Sequence, residues 1–287
     1  MSDDALDGTI SWRELLSDTT MILGDATHAR WICETATGSS PDEFRGMLDA
    51  PATERSVHHL DAMVARARTG EPIQYVLGAW GFRHLDLVVD RRVLIPRPET
   101  ELLVDLARER AADIAGRRTI VDLGTGSGAI GLALASELPL AGTTVILTDE
   151  SSEALDVARS NLAGLGRAAS NVTITRGDWF DALHPGLIAD VIVTNPPYVA
   201  AGSPDLDDVV ARWEPASALM AGPDGLDAIR RIVSGARGHL TEGGWLLIEH
   251  GHDQGAAVRG LFEDTGFESV ETHRDLAGRE RVTSGRT

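Results

Sequence analysis

Lysine does not occur in the chain: all 26 basic side chains among its 287 residues are arginine. A Walker-A phosphate loop, a pyridoxal Schiff base and a lysine nucleophile are therefore excluded, since each needs an amine that this sequence lacks. Cysteine is nearly absent too. Cys33 stands alone, which excludes an intrachain disulfide and any zinc site with two or more thiolates and fits a reducing, cytoplasmic setting. Positive charge is scarce, with 26 basic against 44 acidic residues and a formal net charge of −18. Such a surface repels phosphates rather than neutralising them, so loose nucleic-acid binding is disfavoured and a basic protein partner fits better. No uncharged apolar run approaches the roughly 18 residues that cross a bilayer. The start, Met-Ser-Asp-Asp-Ala-Leu-Asp, lacks the basic and apolar regions of a secretory signal. What is present is ordinary for a soluble globular chain, 43% hydrophobic and 24% charged. The length accommodates one large domain plus a small one at roughly 150 residues per domain.

Residues 1–71 read as a small helical domain. Ser40-Pro41-Asp42-Glu43 is a helix start, with a serine cap, a proline in the first turn and acids at the positive helix end. Val57, Leu60, Met63 and Val64 recur at helical steps over residues 52–69, and Gly70 can end that helix. Residues 72–97 change character: Tyr75-Val76-Leu77 and residues 84–89 look like a hairpin around Gly78 and Gly81 that links two domains. In residues 98–287 strands and helices alternate. Strands are expected at 119–123, 144–148, 171–175, 190–194 and 245–249, with helices at about 129–135, 151–165, 226–240 and 253–265. A hairpin of 269–273 and 281–284, turning at Gly278, closes the chain. Apolar strands separated by amphipathic helices imply a mostly parallel sheet covered on both faces. Ligands of such sheets bind beyond the carboxyl ends of the strands.

The first strand runs into Asp122-Leu123-Gly124-Thr125-Gly126-Ser127-Gly128-Ala129-Ile130-Gly131. Glycines let a backbone turn tightly and approach a ligand, and the following helix offers unpaired amides. Gly126, Gly128 and Gly131 also match G-x-G-x-x-G, with Asp149 near the spacing of a ribose-binding acid, so this motif alone does not separate a dinucleotide from S-adenosylmethionine. Asp122 would repel a pyrophosphate but attract a methionine ammonium group. Asp149, ending the second strand, can accept from both ribose hydroxyls. Asp178-Trp179-Phe180 follows the third strand, where the acid can accept an adenine amine and Trp179 can pack on the ring or simply fill the core. Together these ends describe an adenosine with a cationic amino-acid tail. The fourth strand ends in Asn195-Pro196-Pro197-Tyr198. Both residues before a proline are held extended, and neither proline has an N–H. The Asn195 side-chain oxygen and the Pro196 carbonyl can thus grip both hydrogens of one planar NH2 group, with Tyr198 stacked on the group that carries it.

The sequence resembles the protein-release-factor glutamine N5-methyltransferases, the PrmC/HemK family of class I S-adenosylmethionine-dependent enzymes. The likeness runs through Glu71-Pro72-Ile73-Gln74-Tyr75, Leu94-Ile95-Pro96-Arg97-Pro98-Glu99-Thr100-Glu101, the glycine loop, Asp178-Trp179-Phe180, Asn195-Pro196-Pro197-Tyr198, Arg212-Trp213-Glu214-Pro215, Glu249-His250-Gly251 and Glu280-Arg281-Val282-Thr283. Asn-Pro-Pro-Tyr is shared with nucleic-acid amino-methyltransferases; the Ile-Pro-Arg-Pro-Glu-Thr-Glu block is more specific. The resemblance implies an α/β Rossmann-like fold with a mostly parallel sheet and a closing antiparallel hairpin, behind a helical domain that recognises the release factor. It also implies a target glutamine within Gly-Gly-Gln. The first 40 residues match least clearly.

On these grounds the catalytic pair is Asn195 and Pro196, and the acceptor is bound by Asn195, Pro196, Pro197 and Tyr198. S-Adenosylmethionine is held by Asp122, Gly124, Thr125, Gly126, Ser127, Gly128, Asp149, Asp178, Trp179 and Asn195. No metal is expected, because a sulfonium methyl is already activated. The partner is a peptide chain release factor met by a cytoplasmic monomer, without nucleic acid or membrane. Arg97 and Glu99 either close over the substrate or form a structural ion pair, and residues 212–225 form either a lid or a long connection. His250 reads as hydrogen-bonded support. An adenine N6 methyltransferase and a non-catalytic S-adenosylmethionine-binding module stand as the alternatives.

Overall fold

The computed structural model describes residues 10–203 and 206–287. The acidic start and the first nine residues of the expected helical segment lie outside the described residues. Two compact units are resolved, one ending at Gly78 and one running from Ala79 to Thr287.

The first unit is all helical: α1 (Trp12–Leu23), α2 (Ala26–Thr37), α3 (Pro41–Gly46), α4 (Glu54–Ala67) and α5 (Ile73–Leu77). Ser40 caps α3 as expected, its hydroxyl accepting from the Glu43 amide while the Glu43 carboxylate reaches back to Ser40. The apolar stripe of α4 supplies Leu60, Met63 and Val64 to a core shared with Trp12, Ile32, Cys33 and Phe44. Burial pushes the Cys33 thiol up to about 11, so it behaves as a small apolar group.

Tyr75-Val76-Leu77 is helix, not strand. The aromatic and β-branched residues favour a strand locally, yet Gly78 turns left-handed (φ 76°) and ends a helical turn there. The Arg66 guanidinium, at the end of α4, holds that turn. It donates to the carbonyls of Tyr75 (2.8 Å) and Val76 (3.2 Å) and to both oxygens of the buried Glu71 (2.7 and 3.0 Å). A bond across several residues thus overrides local preference. The hairpin falls immediately after it, as β1 (Ala79–Phe82) and β2 (Leu85–Val88), turning at Arg83, where φ is 54°.

In the second unit follow α6 (Glu101–Ala112), β3 (Arg118–Leu123), α7 (Ala129–Glu137), β4 (Thr143–Asp149), α8 (Ser152–Gly164), β5 (Val172–Arg176), β6 (Ala189–Thr194), α9 (Asp208–Trp213), α10 (Asp227–Ala236), β7 (Leu240–Glu249), α11 (Gly255–Asp264), β8 (Glu268–Arg274) and β9 (Glu280–Arg286). The periodicity assigns no element to α6. The strands lie in the order β5-β4-β3-β6-β7-β9-β8; the first five are parallel and the last two form the antiparallel hairpin. Because β4 and β5 extend the sheet to one side of β3 while β6 and β7 extend it to the other, a crevice opens where β3 and β6 end. Alternation along β3 places Val121 and Leu123 with Ile229, Ile232 and Phe262 in one core, and turns Asp122 towards α7.

Arg66→Ala removes four hydrogen bonds from one turn of the first unit. A loss of about 1–3 kcal/mol in urea unfolding is expected; an unchanged midpoint would show that α5 stands without the guanidinium.

Candidate active site

Three strand ends shape the glycine loop. The Leu123 carbonyl at the end of β3 accepts from the Thr194 hydroxyl at 2.7 Å, and the pairing Leu123↔Thr194 sets β6 beside it. Thr125 N–H donates to the Thr148 carbonyl (2.8 Å), and Gly126 N–H donates to Asp149 Oδ2 (2.9 Å) at the end of β4. Gly124 has φ 69°, and a Cβ there would stand 3.2 Å from the Trp179 ring. Gly128 caps α7 at φ 87°, where a Cβ would meet Leu132 at 2.8 Å. Asn161 of α8 adds a brace that sequence reasoning missed. Its Nδ2 donates to the Ser127 carbonyl (2.8 Å), and its Oδ1 accepts from the Val88 amide (2.7 Å).

Above the loop lies a cavity of about 560 Å3, within the usual range for small-molecule sites. Gly124, Thr125, Gly126, Ser127, Asp149, Asp178, Trp179, Asn195 and Pro197 are all on its wall. A second cavity of about 190 Å3 adjoins it, bounded by Leu94, Arg97, Asn195, Tyr198, Val210 and Leu219 among others. Asn195 faces both. Asp122, Gly128 and Pro196 are buried and do not form the wall of either cavity.

Asp122 supports the loop from beneath. Its Oδ2 accepts from the Thr125 hydroxyl (2.6 Å) and the Gly131 amide (2.9 Å), while Oδ1 has no partner among the described residues. Burial lifts its carboxyl to about 6 against the pull of those two donors. Asp149 is also raised by burial, against hydrogen bonds from the Ser151, Gly126 and Glu150 amides. Asp178 pairs with Arg231 at 2.7 Å, a partner on α10 that local spacing does not reveal. Trp179 adopts φ 49°, packs partly on the core and also lines the cavity.

Ion pairs hold the charged residues of the more specific block. Arg97, on the wall of the smaller cavity, meets the buried Glu214 at 2.5 Å, and Glu214 also accepts from the Ile95 amide (3.1 Å). Glu99 lies 3.7 Å from Arg281. The connection at 212–225 is tied to the residue after Tyr198: Val199 N–H donates to the Leu219 carbonyl, and Ala221 N–H donates back to Val199. His250 is support, its two ring nitrogens spanning Thr283 Oγ1 and the Gly251 carbonyl, each at 2.8 Å. Among the described residues no cluster of His, Cys, Asp or Glu could hold a metal ion, and no helix is long and apolar enough to cross a membrane.

The Methyltransferase small domain matches residues 98–213, and the PrmC N-terminal domain matches residues 11–78. The release factor glutamine methyltransferase of Pseudomonas aeruginosa is 52% identical over 78% of this chain and 79% of its own. That of Escherichia coli is 40% identical over 96% of both chains. The chain belongs to the release factor glutamine methyltransferase family. A crystal structure of a methyltransferase from Pyrococcus furiosus, 18% identical, superposes with a TM-score of 0.51 over 77% of this chain and 96% of that one, and shares the fold.

Within this methyltransferase the ionised form of Asp122 opposes folding. A carboxyl raised from 3.8 to about 6 binds its proton more tightly in the folded state, so stability falls as pH rises through that window and stays lower above it. Asp122→Asn keeps an oxygen for both donors without the charge. In urea unfolding of the ligand-free protein it should gain on the order of 2–3 kcal/mol above about pH 7 and almost nothing below about pH 4. A variant weaker than wild type above pH 7 would contradict this account.

Proposed function

We propose that the protein methylates the side-chain amide nitrogen (N5) of the glutamine in the Gly-Gly-Gln motif of peptide chain release factors, with S-adenosylmethionine as donor. The observation that carries this reading is Asn195, which stands on the wall common to the glycine-loop cavity and its smaller neighbour. One cavity suits the donor, and the other opens beside it for a side chain of the acceptor.

The donor supplies a methyl group already activated on a sulfonium. The residues present fit such a molecule. An unpaired buried carboxylate oxygen under the loop, Asp122 Oδ1, gives a field that favours a cationic amino-acid end above it. Asp149 accepts from the Gly126 amide at Oδ2 and the Ser151 amide at Oδ1, and its two oxygens have further lone pairs for a ribose hydroxyl. Asp178, held by Arg231 through Oδ2, offers Oδ1 to an exocyclic amine beside the Trp179 ring. Gly128 acts by starting α7, behind the loop.

An amide nitrogen is a poor nucleophile because its lone pair is delocalised into the carbonyl. Asn195 Oδ1 takes one amide hydrogen at the cavity wall, and the Pro196 carbonyl, which lies behind that wall in the ligand-free protein, takes the other as the acceptor seats beside it, leaving the nitrogen face turned towards the donor cavity. As positive charge grows on that nitrogen, the two acceptor dipoles stabilise it, the inverse of an oxyanion hole. Alignment adds a proximity contribution. Pro197 stiffens the turn, and Tyr198 lies along the acceptor. Burial pushes the Tyr198 phenol well above its ordinary range, so it remains neutral. The surplus proton leaves to water.

Acting on protein rather than nucleic acid, as a cytoplasmic monomer, accords with the net charge of −18. Several arginines are drawn into ion pairs, among them Arg83 with Glu137, Arg97 with Glu214 and Arg231 with Asp178.

Incubation of a purified release factor with the protein and S-adenosylmethionine should add one methyl by intact mass, mapping to the glutamine. Methyl uptake by nucleic acid instead, or tight donor binding with no methylated protein, would overturn the reading. Asn195→Ala should lose about 100-fold in kcat, ~3 kcal/mol, with S-adenosylhomocysteine affinity almost unchanged. Wild-type turnover in that variant would remove Asn195 from the chemistry.

A further inference from the structure

The larger and the smaller cavity share three wall residues, Asn195, Leu94 and Ala218. Each comes from a different stretch of chain: Asn195 from the end of β6, Leu94 from the segment ahead of α6, and Ala218 from the connection between α9 and α10. A group that passes from the smaller cavity to the larger one passes between these residues. Two of the three stretches carry sequence blocks that the mechanism above leaves unused, Leu94-Ile95-Pro96-Arg97 and Arg212-Trp213-Glu214-Pro215.

Hydrogen bonds tie the three stretches into a ring. The buried Glu214 carboxylate accepts from the Ile95 amide at 3.1 Å and from the Arg97 guanidinium at 2.5 Å, which pins the neighbour of Leu94 to the chain leading into Ala218. Arg91 adds a second tie, its guanidinium 4.7 Å from the centre of the Trp213 ring. On the other side, the Val199 amide donates to the Leu219 carbonyl at 2.8 Å and the Ala221 amide donates to the Val199 carbonyl at 3.0 Å, so Ala218 is held against the chain leaving β6. Asn195 Nδ2 donates to the Thr100 hydroxyl at 3.3 Å and closes the ring on the first stretch. Desolvation offsets much of the attraction within a buried ion pair, so a positional role accounts for Glu214 better than a stabilising one.

We propose that Leu94 and Ala218 form, with Asn195, the aperture through which a side-chain carboxamide reaches the methyl donor, and that Glu214 is the positioning residue that sets its width. The proposal rests on the reading of Asn195 as the group that accepts the glutamine amide hydrogens. Leu94 and Ala218 have no polar side-chain atoms, so Asn195 is the one polar side chain on the rim and the entering amide meets no competing one there. In-line transfer tolerates little displacement, since about 1 Å of misplacement costs on the order of 100-fold in rate. A strap held by one carboxylate at both Ile95 and Arg97 keeps Leu94 from drifting by that amount.

The test measures kcat and KM on a purified release factor, alongside calorimetric affinity for S-adenosylhomocysteine. Ala218→Val puts an isopropyl group on the rim in place of a methyl. It should lower kcat about 10- to 100-fold, with S-adenosylhomocysteine affinity within about threefold of wild type. Leu94→Ala takes bulk from the same rim, so in that background Ala218→Val should cost no more than about threefold in kcat. Glu214→Gln keeps the shape, but its NH2 cannot accept, so one of the two ties is lost. A loss of about tenfold in kcat is expected, again with little change in S-adenosylhomocysteine affinity; a merely structural Glu214 would lower the urea midpoint and leave kcat alone. Wild-type kcat in Ala218→Val or in Glu214→Gln, a loss that lies in S-adenosylhomocysteine affinity rather than kcat, or an Ala218→Val loss undiminished beside Leu94→Ala would each overturn the proposal. If Asn195→Ala itself turns over normally, the acceptor-site reading fails and the proposal fails with it. If Asn195→Ala is impaired while Ala218→Val is not, only the proposal fails.

Discussion

The hydroxyl of Thr194 donates to the carbonyl of Leu123 at 2.7 Å, where parallel pairing has already set the two residues side by side. One residue further along each strand stand Gly124 and Asn195. That single buried bond therefore fixes the distance between the loop that receives the methyl donor and the side chain that receives the acceptor. It sits where the order of the parallel strands reverses, so the crevice is a consequence of topology and its chemistry a consequence of register. A slip of one residue in β6 would turn Asn195 to the other face of the sheet and bury it.

Around this bond the protein keeps an uncommon set of acids. Asp122, Asp149 and Glu249 are each raised from their ordinary values, and for each the leading cause is burial. In a chain without lysine, the cations that would otherwise neutralise them are arginines, and several of those are committed elsewhere, as Arg97 is to Glu214. The unrelieved negative charge opposes folding, but it favours a cationic donor above the loop. Stability and function pull in opposite directions at these positions, as is common where sites are pre-organised.

The parts legible in the sequence are those whose cause is local. Strand ends, the glycine loop and the Ser40 cap each follow from the residues at hand. What was not legible depends on distant partners. Tyr75-Val76-Leu77 reads as strand until Arg66 closes on its carbonyls. Asp122 reads as a residue of the cavity wall, yet alternation along β3 and the pull of Gly131 place it beneath the loop. Asp178 looks available until Arg231 reaches it from α10.

The account turns on where an acceptor carboxamide sits, and a crystal structure with S-adenosylhomocysteine and a Gly-Gly-Gln peptide measures that position directly. The account predicts the glutamine amide nitrogen at roughly 3 Å from both Asn195 Oδ1 and the Pro196 carbonyl oxygen, with its open face towards the sulfur. A glutamine amide bound elsewhere, or one that meets the nitrogen of Asn195 rather than its oxygen, would contradict it.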